Sequence, residues 1–277
     1  MIRVRVGIIG GTGKMGRFFR DVFERAGYTV EVAGRATPLT PRDLAPRCDI
    51  LVVSVPIRDT VRVIGEVAPL LSEDQVFTDL TSLKSGPVRA MLASKARVVG
   101  LHPMFGPSAP GLAGQTIIAT PARCDRETLE SLLRVFRSQG ARITITSPEE
   151  HDRIMAVVQG LTHFVTLGVA ETMRRLGMDP AGTEAYRSPV YQLEIGLVGR
   201  LLSQDPGLYA DMLMLNPSVP PVLRACQEAV STLKDVVEKG EVSAFEELFA
   251  LNARNCGDYC EAAARETDAI IQGMVGR

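Results

Sequence analysis

The sequence predicts an α/β fold with a doubly wound parallel sheet, followed by an all-helical domain. Three observations lead to this prediction: a glycine-rich turn directly after the first apolar segment, alternating strand and helix patterns up to residue 147, and only helical patterns beyond it. We therefore predict two domains, an α/β domain over residues 1–147 and a helical domain over residues 148–277.

The first predicted strand leads into the glycine-rich turn. Residues 4–9 form a short β-branched run, and glycines then follow in the pattern Gly-x-Gly-x-x-Gly. Residues 15–26 carry apolar side chains at helical spacing. Strand, glycine turn and helix in this order are typical of a Rossmann domain, in which the turn and the helix N-terminus hold a dinucleotide pyrophosphate. The predicted cofactor contacts here are Gly11, Thr12, Gly13, Lys14, Met15 and Gly16.

The end of the second predicted strand bears on which cofactor binds. NAD-binding folds usually place Asp or Glu there, where the carboxylate binds the ribose 2′-hydroxyl. Here residues 28–33 are followed by Gly34 and Arg35, and Glu31 comes three residues too early. Because a guanidinium binds phosphate through two N–H groups, Arg35 favours NADP over NAD. A solvated loop arginine is the alternative reading.

One histidine lies where such a sheet binds its ligand. Further strands are predicted at 49–55, 76–80, 97–101, 116–119 and 142–145. His102 directly follows one of them, and Pro103, Gly106 and Pro107 are expected to end that strand. Ligands bind at the carboxyl ends of these strands, and histidine transfers protons near neutral pH. We therefore predict that His102 is a general base; a turn-capping histidine is the alternative.

The second half begins with a helix-start signal. Ser147 is a predicted cap, followed by Pro148 at the first helical position and by Glu150 as a capping-box glutamate. Ser188-Pro189 and Asp205-Pro206 begin two more helices in the same way. The helix after Ser188 has a small or polar face (Gln192, Gly196, Arg200 and Ser203) and an apolar face (Val190, Leu193, Leu197 and Leu201). We expect some of the apolar surface of this domain to form a homodimer interface.

Composition narrows the class of protein. The net charge is −1, which gives no reason to expect a nucleic-acid or membrane partner. No run of 18 apolar residues and no signal peptide is recognised, so a cytoplasmic location is expected. The five cysteines are scattered, and no histidine near Cys256 and Cys260 completes a zinc site, so we expect reduced thiols and no metal.

Nine ordered motifs carry a resemblance to a known family. They are Gly-Gly-x-Gly-x-Met-Gly at 10–16, Val-Ser-Val-Pro-Ile at 53–57, Asp-Leu-x-Ser-x-Lys-x-Gly-Pro at 79–87, Gly-Leu-His-Pro-Met-Phe-Gly-Pro at 100–107, Glu-His-Asp at 150–152, His-Phe at 163–164, Ser-Pro-x-Tyr-x-Leu-Glu at 188–194, Val-Gly-Arg at 198–200 and Gln-Asp-Pro-x-Leu-Tyr-Ala-Asp at 204–211. The chain resembles the prephenate/arogenate dehydrogenase family, specifically the dehydrogenase part of bacterial chorismate mutase–prephenate dehydrogenases. We expect a stand-alone dehydrogenase, without a mutase domain before residue 1.

The resemblance implies an enzyme of tyrosine biosynthesis that oxidatively decarboxylates prephenate to 4-hydroxyphenylpyruvate and passes a hydride to NAD(P). It implies that His102 takes the proton of the 4-hydroxyl, that Ser82 orients or hydrogen-bonds this histidine and the substrate, and that Arg200 binds a substrate carboxylate. Further residues implied in binding are Ser54 and Pro56 for the cofactor, and Lys84, His163, Gln192 and Tyr209 for the substrate.

Several of these residues have alternative readings. Ser82 is also a plausible helix cap, Lys84 a solvated lysine, His163 a histidine satisfied between the domains and Tyr209 a core tyrosine. His151 is expected to support the interdomain turn through Asp152. Two positions depart from the family pattern: Ser108 stands where some members have an acidic residue, and Gln192 stands where a relative has a basic one.

The substrate and the class of function also remain open. L-arogenate or an amino-deoxy analogue of prephenate would present an ammonium group, which Glu194 or Asp211 could receive. A non-catalytic redox sensor that binds NADP(H) is a reading from a different class. The presence of both His102 and Arg200 argues against a sensor, since a sensor needs neither.

Overall fold

A seven-stranded sheet organises the first half of the chain. The computed structural model describes residues 4–275. The strands are β1 (Arg5–Ile9), β2 (Thr29–Ala33), β3 (Ile50–Val53), β4 (Val76–Asp79), β5 (Arg97–Pro103), β6 (Thr116–Arg123) and β7 (Arg142–Ile145). The helices between them are α1 (Lys14–Arg25), α2 (Pro41–Leu44), α3 (Ile57–Val67), α4 (Ser85–Met91) and α5 (Arg126–Arg137).

The sheet is mostly, rather than wholly, parallel. Its strand order is β2-β1-β3-β4-β5-β6-β7, and β5 and β6 are the antiparallel pair. Residues 104–115 connect these two strands without a helix. Because a parallel return would need a long crossover, β6 runs antiparallel to β5. β7 pairs in parallel with β6 and therefore has the same direction as β6. β5 reaches Pro103, beyond its predicted end, because Ile118 and Ile117 of β6 pair with His102 and Pro103.

Apolar side chains cover both faces of the sheet. α1 and α5 bury Phe19, Phe23 and Phe136 against one face. α3 and α4 bury Ile64 and Met91 against the other. The helical spacing that predicts α1 therefore also identifies which face of this helix is buried. The close packing of helices on both faces keeps the sheet rigid, so that it can position residues at its edges.

The second half is helical throughout its described length. It contains α6 (Pro148–Met155), a π-helical turn (Ala156–Leu161), α7 (Thr162–Arg175), α8 (Pro180–Thr183), α9 (Pro189–Leu202), α10 (Pro206–Met214), α11 (Val219–Lys239), α12 (Val242–Cys256) and α13 (Tyr259–Val275). Ser147 caps α6 by accepting a hydrogen bond from the Glu150 N–H at 3.2 Å, which confirms the predicted cap. The Glu150 carboxylate instead pairs with Arg153, so no capping box forms.

Two compact units divide the chain differently from the predicted boundary at residue 147. The first unit extends through Ala156 and includes Gly207–Ser218. The second consists of Val157–Pro206 and the residues from Val219 onward. The chain therefore passes between the units three times instead of once.

Specific hydrogen bonds explain why these segments belong to the first unit. The Asp152 carboxylate on α6 accepts hydrogen bonds from the backbone N–H groups of Lys84 and Ser85 at 2.8 and 2.9 Å. The Asp211 carboxylate on α10 pairs with the Arg58 guanidinium at 2.8 Å. Such contacts join residues more than 60 positions apart and are not visible as local sequence patterns.

The segment Pro148–Arg175 exposes much of its apolar surface. Among residues 4–275 it is the one helix that is, by length and composition, long and apolar enough to cross a membrane. Only 17% of its apolar 18-residue stretch is buried. Its first turns nevertheless hold His151 and Asp152 inside the polar interior of the first unit, an environment that does not suit a membrane span.

Candidate active site

The glycine-rich turn lies at the carboxyl edge of the sheet, where the strand order reverses. β1 has β2 on one side and β3 on the other. Ligands of open α/β sheets bind in the crevice at such a reversal. α1 begins at Lys14, and its N-cap, Gly13, offers no side chain to the first N–H groups of the helix. The N-terminus of α1 could therefore bind an anionic group.

Close backbone contacts require glycine in this turn. A Cβ atom at Gly16 would lie 2.3 Å from the carbonyl oxygen of Gly10, and one at Gly11 would lie 2.4 Å from Cγ1 of Val32. Gly10 itself has a φ of +82°, which favours glycine. Residues 12–14 are exposed. The turn is thus closely packed at Gly11 and Gly16 and exposed at residues 12–14, an arrangement that fits the pyrophosphate of a dinucleotide.

Ser54 and Pro56 lie beside this turn. The Ser54 N–H donates to the carbonyl oxygen of Ile9 at the end of β1, at 2.8 Å. A Cβ atom at Gly10 would lie 2.2 Å from the Ser54 carbonyl oxygen. Pro56 is exposed and is the N-cap of α3. The cofactor residues predicted on the first and third strands therefore share one edge of the sheet.

Arg35 is exposed just past β2, next to the same turn. Gly34 precedes it, and a Cβ atom at Gly34 would lie 2.9 Å from the Thr12 hydroxyl oxygen. Glu31 lies within β2 and faces Arg47 at 3.8 Å. No carboxylate therefore follows β2 at the position where NAD-binding folds bind the ribose hydroxyls, and a guanidinium stands there instead.

His102 lies in a chain of buried polar groups at the end of β5. Its Nδ1 is 2.9 Å from Nε2 of His151. The Nδ1 of His151 is in turn 2.8 Å from Oδ1 of Asp152. His102 and His151 are 2% and 1% exposed. The predicted base is thus connected to α6, and the expected contact between His151 and Asp152 is confirmed.

Burial governs the titration of these side chains. Desolvation lowers the pKa of His102 well below its ordinary value of 6.5, and the neighbouring His151 and Lys84 lower it further. Desolvation also lowers the pKa of His151, although its hydrogen bond to Asp152 opposes the shift. Hydrogen bonds from His151 and Ser85 hold the pKa of Asp152 low against its burial. At neutral pH both imidazoles are therefore neutral and Asp152 is a carboxylate.

Lys84 is fully buried and is not a solvated lysine. Its ammonium group pairs with the Asp79 carboxylate and donates to the carbonyl oxygen of Leu101 at 2.7 Å. Leu101 immediately precedes His102. Burial lowers the pKa of the Lys84 ammonium, and the Asp79 carboxylate opposes that shift. The structure thus gives Lys84 a role in holding the end of β5, whereas the resemblance implies a contact with substrate.

The remaining predicted residues of the first unit lie near α3 and α4. Ser82 is half-buried in the loop between β4 and α4, and His102 Nδ1 is held by His151 rather than by this serine. Tyr209 is partly buried and packs against the small apolar cluster of Ile57, Leu83 and Met212. The core reading of Tyr209 therefore describes its position in the fold.

Three predicted substrate residues belong to the second unit. Arg200 is exposed on α9. His163 on α7 is half-buried, and burial lowers its pKa. Gln192 lines a cleft of about 540 Å³ with residues of α13, among them Ala269 and Ile270. Val190 and Leu197, on the predicted apolar face of α9, are each 53% exposed, while Val198 and Leu201 are buried.

Two buried acids of the site have roles that the sequence analysis does not predict: Asp79 is not singled out there at all, and Asp152 is expected only as a partner of His151. Asp79 ends the otherwise uncharged strand β4 at the carboxyl edge, which is a usable signal for a functional acid. Asp152 stands in the first turns of a capped helix, where an acid is common for reasons of helix stability alone. Its hydrogen bonds to residues almost 70 positions away become apparent only in the folded chain.

Both halves of the chain match descriptions of one known protein family. Residues 29–145 match the family description "Prephenate dehydrogenase, nucleotide-binding domain". Residues 147–251 match "Prephenate dehydrogenase, dimerization domain". The two matched segments meet at the residue where strand patterns end in the sequence.

Individual proteins agree with these matches. A probable arogenate/prephenate dehydrogenase of Methanocaldococcus jannaschii is 32% identical over 96% of this chain, which spans 64% of that relative. The T-protein of Enterobacter agglomerans is 34% identical over 96% of this chain, which spans 71% of that relative. The chain is thus shorter than both relatives.

A solved structure shares the fold. The prephenate dehydrogenase of Aquifex aeolicus, in complex with hydroxyphenyl propionate and NAD⁺, superimposes with a TM-score of 0.72. The match covers 92% of this chain and 98% of the other at 23% identity. With family matches to both halves and relatives above 30% identity along nearly its whole length, the chain belongs to the prephenate dehydrogenase family.

Proposed function

We propose that this chain is an NAD(P)-dependent dehydrogenase that oxidatively decarboxylates prephenate to 4-hydroxyphenylpyruvate. The observation that carries the proposal is the buried, neutral His102 at the end of β5, on the sheet edge that also bears the glycine-rich turn. A neutral imidazole accepts a proton, and the turn fits a dinucleotide. Family membership supplies the substrate class.

The proposed chemistry requires one base and one hydride acceptor. When bound, NAD(P)⁺ accepts the hydride from carbon 4 of the cyclohexadiene ring. His102 accepts the proton of the 4-hydroxyl, and the oxygen forms a carbonyl as the hydride leaves. The ring carboxylate then departs as CO₂, its bonding electrons make the ring aromatic, and the phenolate oxygen takes the proton back. The substrate loses one hydride and one CO₂, and no proton is released overall.

Several further residues are proposed to bind the substrate. By resemblance, Arg200 binds a carboxylate, and His163, Gln192 and Tyr209 contribute further contacts. By resemblance, Ser82 is proposed to hydrogen-bond the reacting hydroxyl; it lies half-buried in the loop after β4. Arg58 already neutralises Asp211, so an ammonium group on arogenate would more readily be received by the exposed Glu194.

NADP is proposed as the preferred cofactor. Arg35 lies beside the glycine-rich turn, and the acid of β2, Glu31, faces Arg47 instead. A 2′-phosphate has two negative charges for a guanidinium to bind, whereas a 2′-hydroxyl has none.

We also propose that the protein is a soluble, cytoplasmic homodimer assembled through its second unit. Val157, Val165 and Val169 on the helical segment around α7 are 48%, 46% and 41% exposed. The family description of this region as a dimerization domain agrees with a surface of this kind. A second copy of the chain would remove these side chains from water.

A substrate and cofactor matrix tests the proposed function. Formation of reduced cofactor would be followed by absorbance with prephenate, L-arogenate and 4-amino-4-deoxyprephenate, each with NAD⁺ and NADP⁺. We expect the highest kcat/KM for prephenate with NADP⁺, and one CO₂ for each reduced cofactor. Higher kcat/KM with either amino analogue would reassign the substrate. NADP(H) binding without turnover of any of the three would support a redox sensor and contradict the proposal.

A further inference from the structure

The buried chain Asp152–His151–His102 determines which ring nitrogens carry protons. Asp152 is fixed in place, because its carboxylate accepts the backbone N–H groups of Lys84 and Ser85. A carboxylate only accepts hydrogen bonds. The contact of 2.8 Å between Asp152 Oδ1 and His151 Nδ1 therefore requires a proton on that Nδ1.

The proton on Nδ1 of His151 determines where the proton of His102 lies. A neutral imidazole carries one N–H, so the Nε2 of His151 holds a lone pair. The contact of 2.9 Å between this nitrogen and the Nδ1 of His102 then requires His102 to donate. Neutral His102 consequently carries its proton on Nδ1, and Nε2 is the nitrogen that can accept another.

The charged groups around the two rings favour His151 as the holder of a positive charge. Lys84 and the second imidazole both disfavour a charge on His102, and Asp152 alone favours it. For His151, Asp152 and Asp79 favour the charge, and Lys84 opposes it. Asp152 also accepts a hydrogen bond directly from His151, which strengthens its effect on that ring.

We propose that His151 and Asp152 form a proton relay behind His102. As the substrate hydroxyl transfers its proton to Nε2 of His102, the Nδ1 proton of His102 moves to Nε2 of His151. The positive charge then lies on His151, against the Asp152 carboxylate. When the ring becomes aromatic, both transfers reverse and the product oxygen recovers its proton.

The burial of the relay agrees with this reversible role. His151 is 1% exposed and Asp152 is 3% exposed, so neither exchanges protons readily with solvent. The proposed reaction releases no proton, so the relay has to store one only between the two steps. The relay rests on the proposed function, because it needs a substrate that gives up a proton and takes it back.

The protonation of the resting protein can be measured without any substrate. The chain has three histidines, so ¹⁵N-histidine-labelled protein gives three imidazole spin systems, and a His102→Asn variant assigns one of them. We expect His102 and His151 to be neutral at pH 7, each with its proton on Nδ1. A proton on Nε2 of His102 would overturn the relay, because His102 would then be unable to donate to His151.

Two substitutions of His151 distinguish a role in accepting a proton from His102 from a role in only orienting the His102 ring. The side-chain oxygen of glutamine in His151→Gln can reach the place of Nε2 and accept from His102, but it takes up no proton at working pH. The shorter side chain of His151→Asn leaves His102 without this partner. A relay predicts that kcat falls about 100-fold in both variants, with KM for the substrate and cofactor affinity nearly unchanged in His151→Gln. Near-normal kcat in His151→Gln would show that His151 only orients His102 and would overturn the relay.

The same experiments distinguish a failed relay from a failed function. If the wild-type protein turns over none of the three substrates, the proposed function is wrong and the relay is wrong with it. If the wild type is active but His151→Gln retains kcat within about threefold, only the relay is wrong. Circular dichroism and cofactor titration of both variants establish that a loss of kcat is not a loss of folding. Should His151→Gln fail to fold, the proton positions in the wild type still decide whether His102 can donate.

Discussion

Lys84 and Asp79 form an ion pair whose two side chains are completely shielded from solvent. Thr81 also donates to the Asp79 carboxylate through its backbone N–H, at 3.1 Å, and through its hydroxyl. A buried charge without a partner is far more costly than the intact pair. The pair therefore holds the ends of β4 and β5 together, and Lys84 also binds the carbonyl oxygen of Leu101, beside His102.

Replacing Lys84 by methionine should destabilise the first unit strongly. The substitution leaves the Asp79 carboxylate buried without its cation, which costs about 3–5 kcal/mol. Urea unfolding would measure the loss. The double variant Asp79→Asn/Lys84→Met should recover much of it, because no charge is then buried. Equal midpoints for the single and double variants would show that the buried charge is not the source of the loss.

The sequence predicts β1, α1 and the start of α6 well because the signals for these elements are local. The glycine spacing, the apolar face of α1 and the cap of α6 all involve residues within a few positions of each other. The direction of β6 is set instead by residues 104–115, which lack a helix, and strand periodicity contains no information about direction. Strand and helix patterns therefore predict the elements more reliably than their relative directions.

The interior of the site is harder to predict, because its contacts join distant residues. Lysine is almost always exposed, so only the position of Asp79 in the fold explains why Lys84 is buried. His102 and His151 are 49 residues apart. Arg58 and Asp211 are 153 residues apart, which is why residues 207–218 are placed in the helical domain by sequence and in the first unit by structure.

His102→Asn should abolish most of the turnover while leaving the cofactor bound. Loss of a general base lowers kcat by about 10²–10⁴. Because burial lowers the pKa of His102 well below 6.5, the wild-type base is neutral at and above that pH, and kcat/KM should fall only at lower pH, as the base becomes protonated. Steady-state kinetics over a pH series tests both statements. Turnover within about threefold of wild type would remove His102 from the mechanism.

The buried histidines should also make stability depend on pH. The pKa values of His102 and His151 are lowered from 6.5 in the folded chain, so below 6.5 the unfolded chain binds more protons than the folded one. The contribution of these two histidines to the free energy of unfolding is therefore complete above pH 6.5. It decreases as the pH falls, by up to about 1.4 kcal/mol per pH unit for each histidine. Urea unfolding at several pH values measures this slope, and His151→Gln should reduce it. An identical slope in that variant would contradict the assignment.

Arg35→Ala should weaken NADP binding far more than NAD binding. The variant removes the guanidinium proposed to bind the 2′-phosphate, and NAD has no phosphate at that position. Cofactor titration by fluorescence would give both dissociation constants. Arg42 on α2 is also exposed, so Arg42→Ala is the matched control and should change neither constant. Equal losses for NADP and NAD in Arg35→Ala would show that Arg35 does not read the 2′-phosphate.

Arg200→Gln should raise KM for prephenate without changing cofactor affinity. Glutamine keeps hydrogen-bonding capacity but removes the charge, and a charge-assisted hydrogen bond contributes about 1.5–3 kcal/mol. This corresponds to a rise in KM of about 10- to 100-fold. kcat should fall less, because the carboxylate contact is made in both the ground state and the transition state. Arg200 is not among the residues proposed to bind the cofactor, so NADP affinity should stay constant. Arg224→Gln, at another exposed arginine of the second unit, is the matched control and should behave as wild type. An unchanged KM in Arg200→Gln, or a loss of NADP affinity, would mean that Arg200 does not bind the substrate carboxylate.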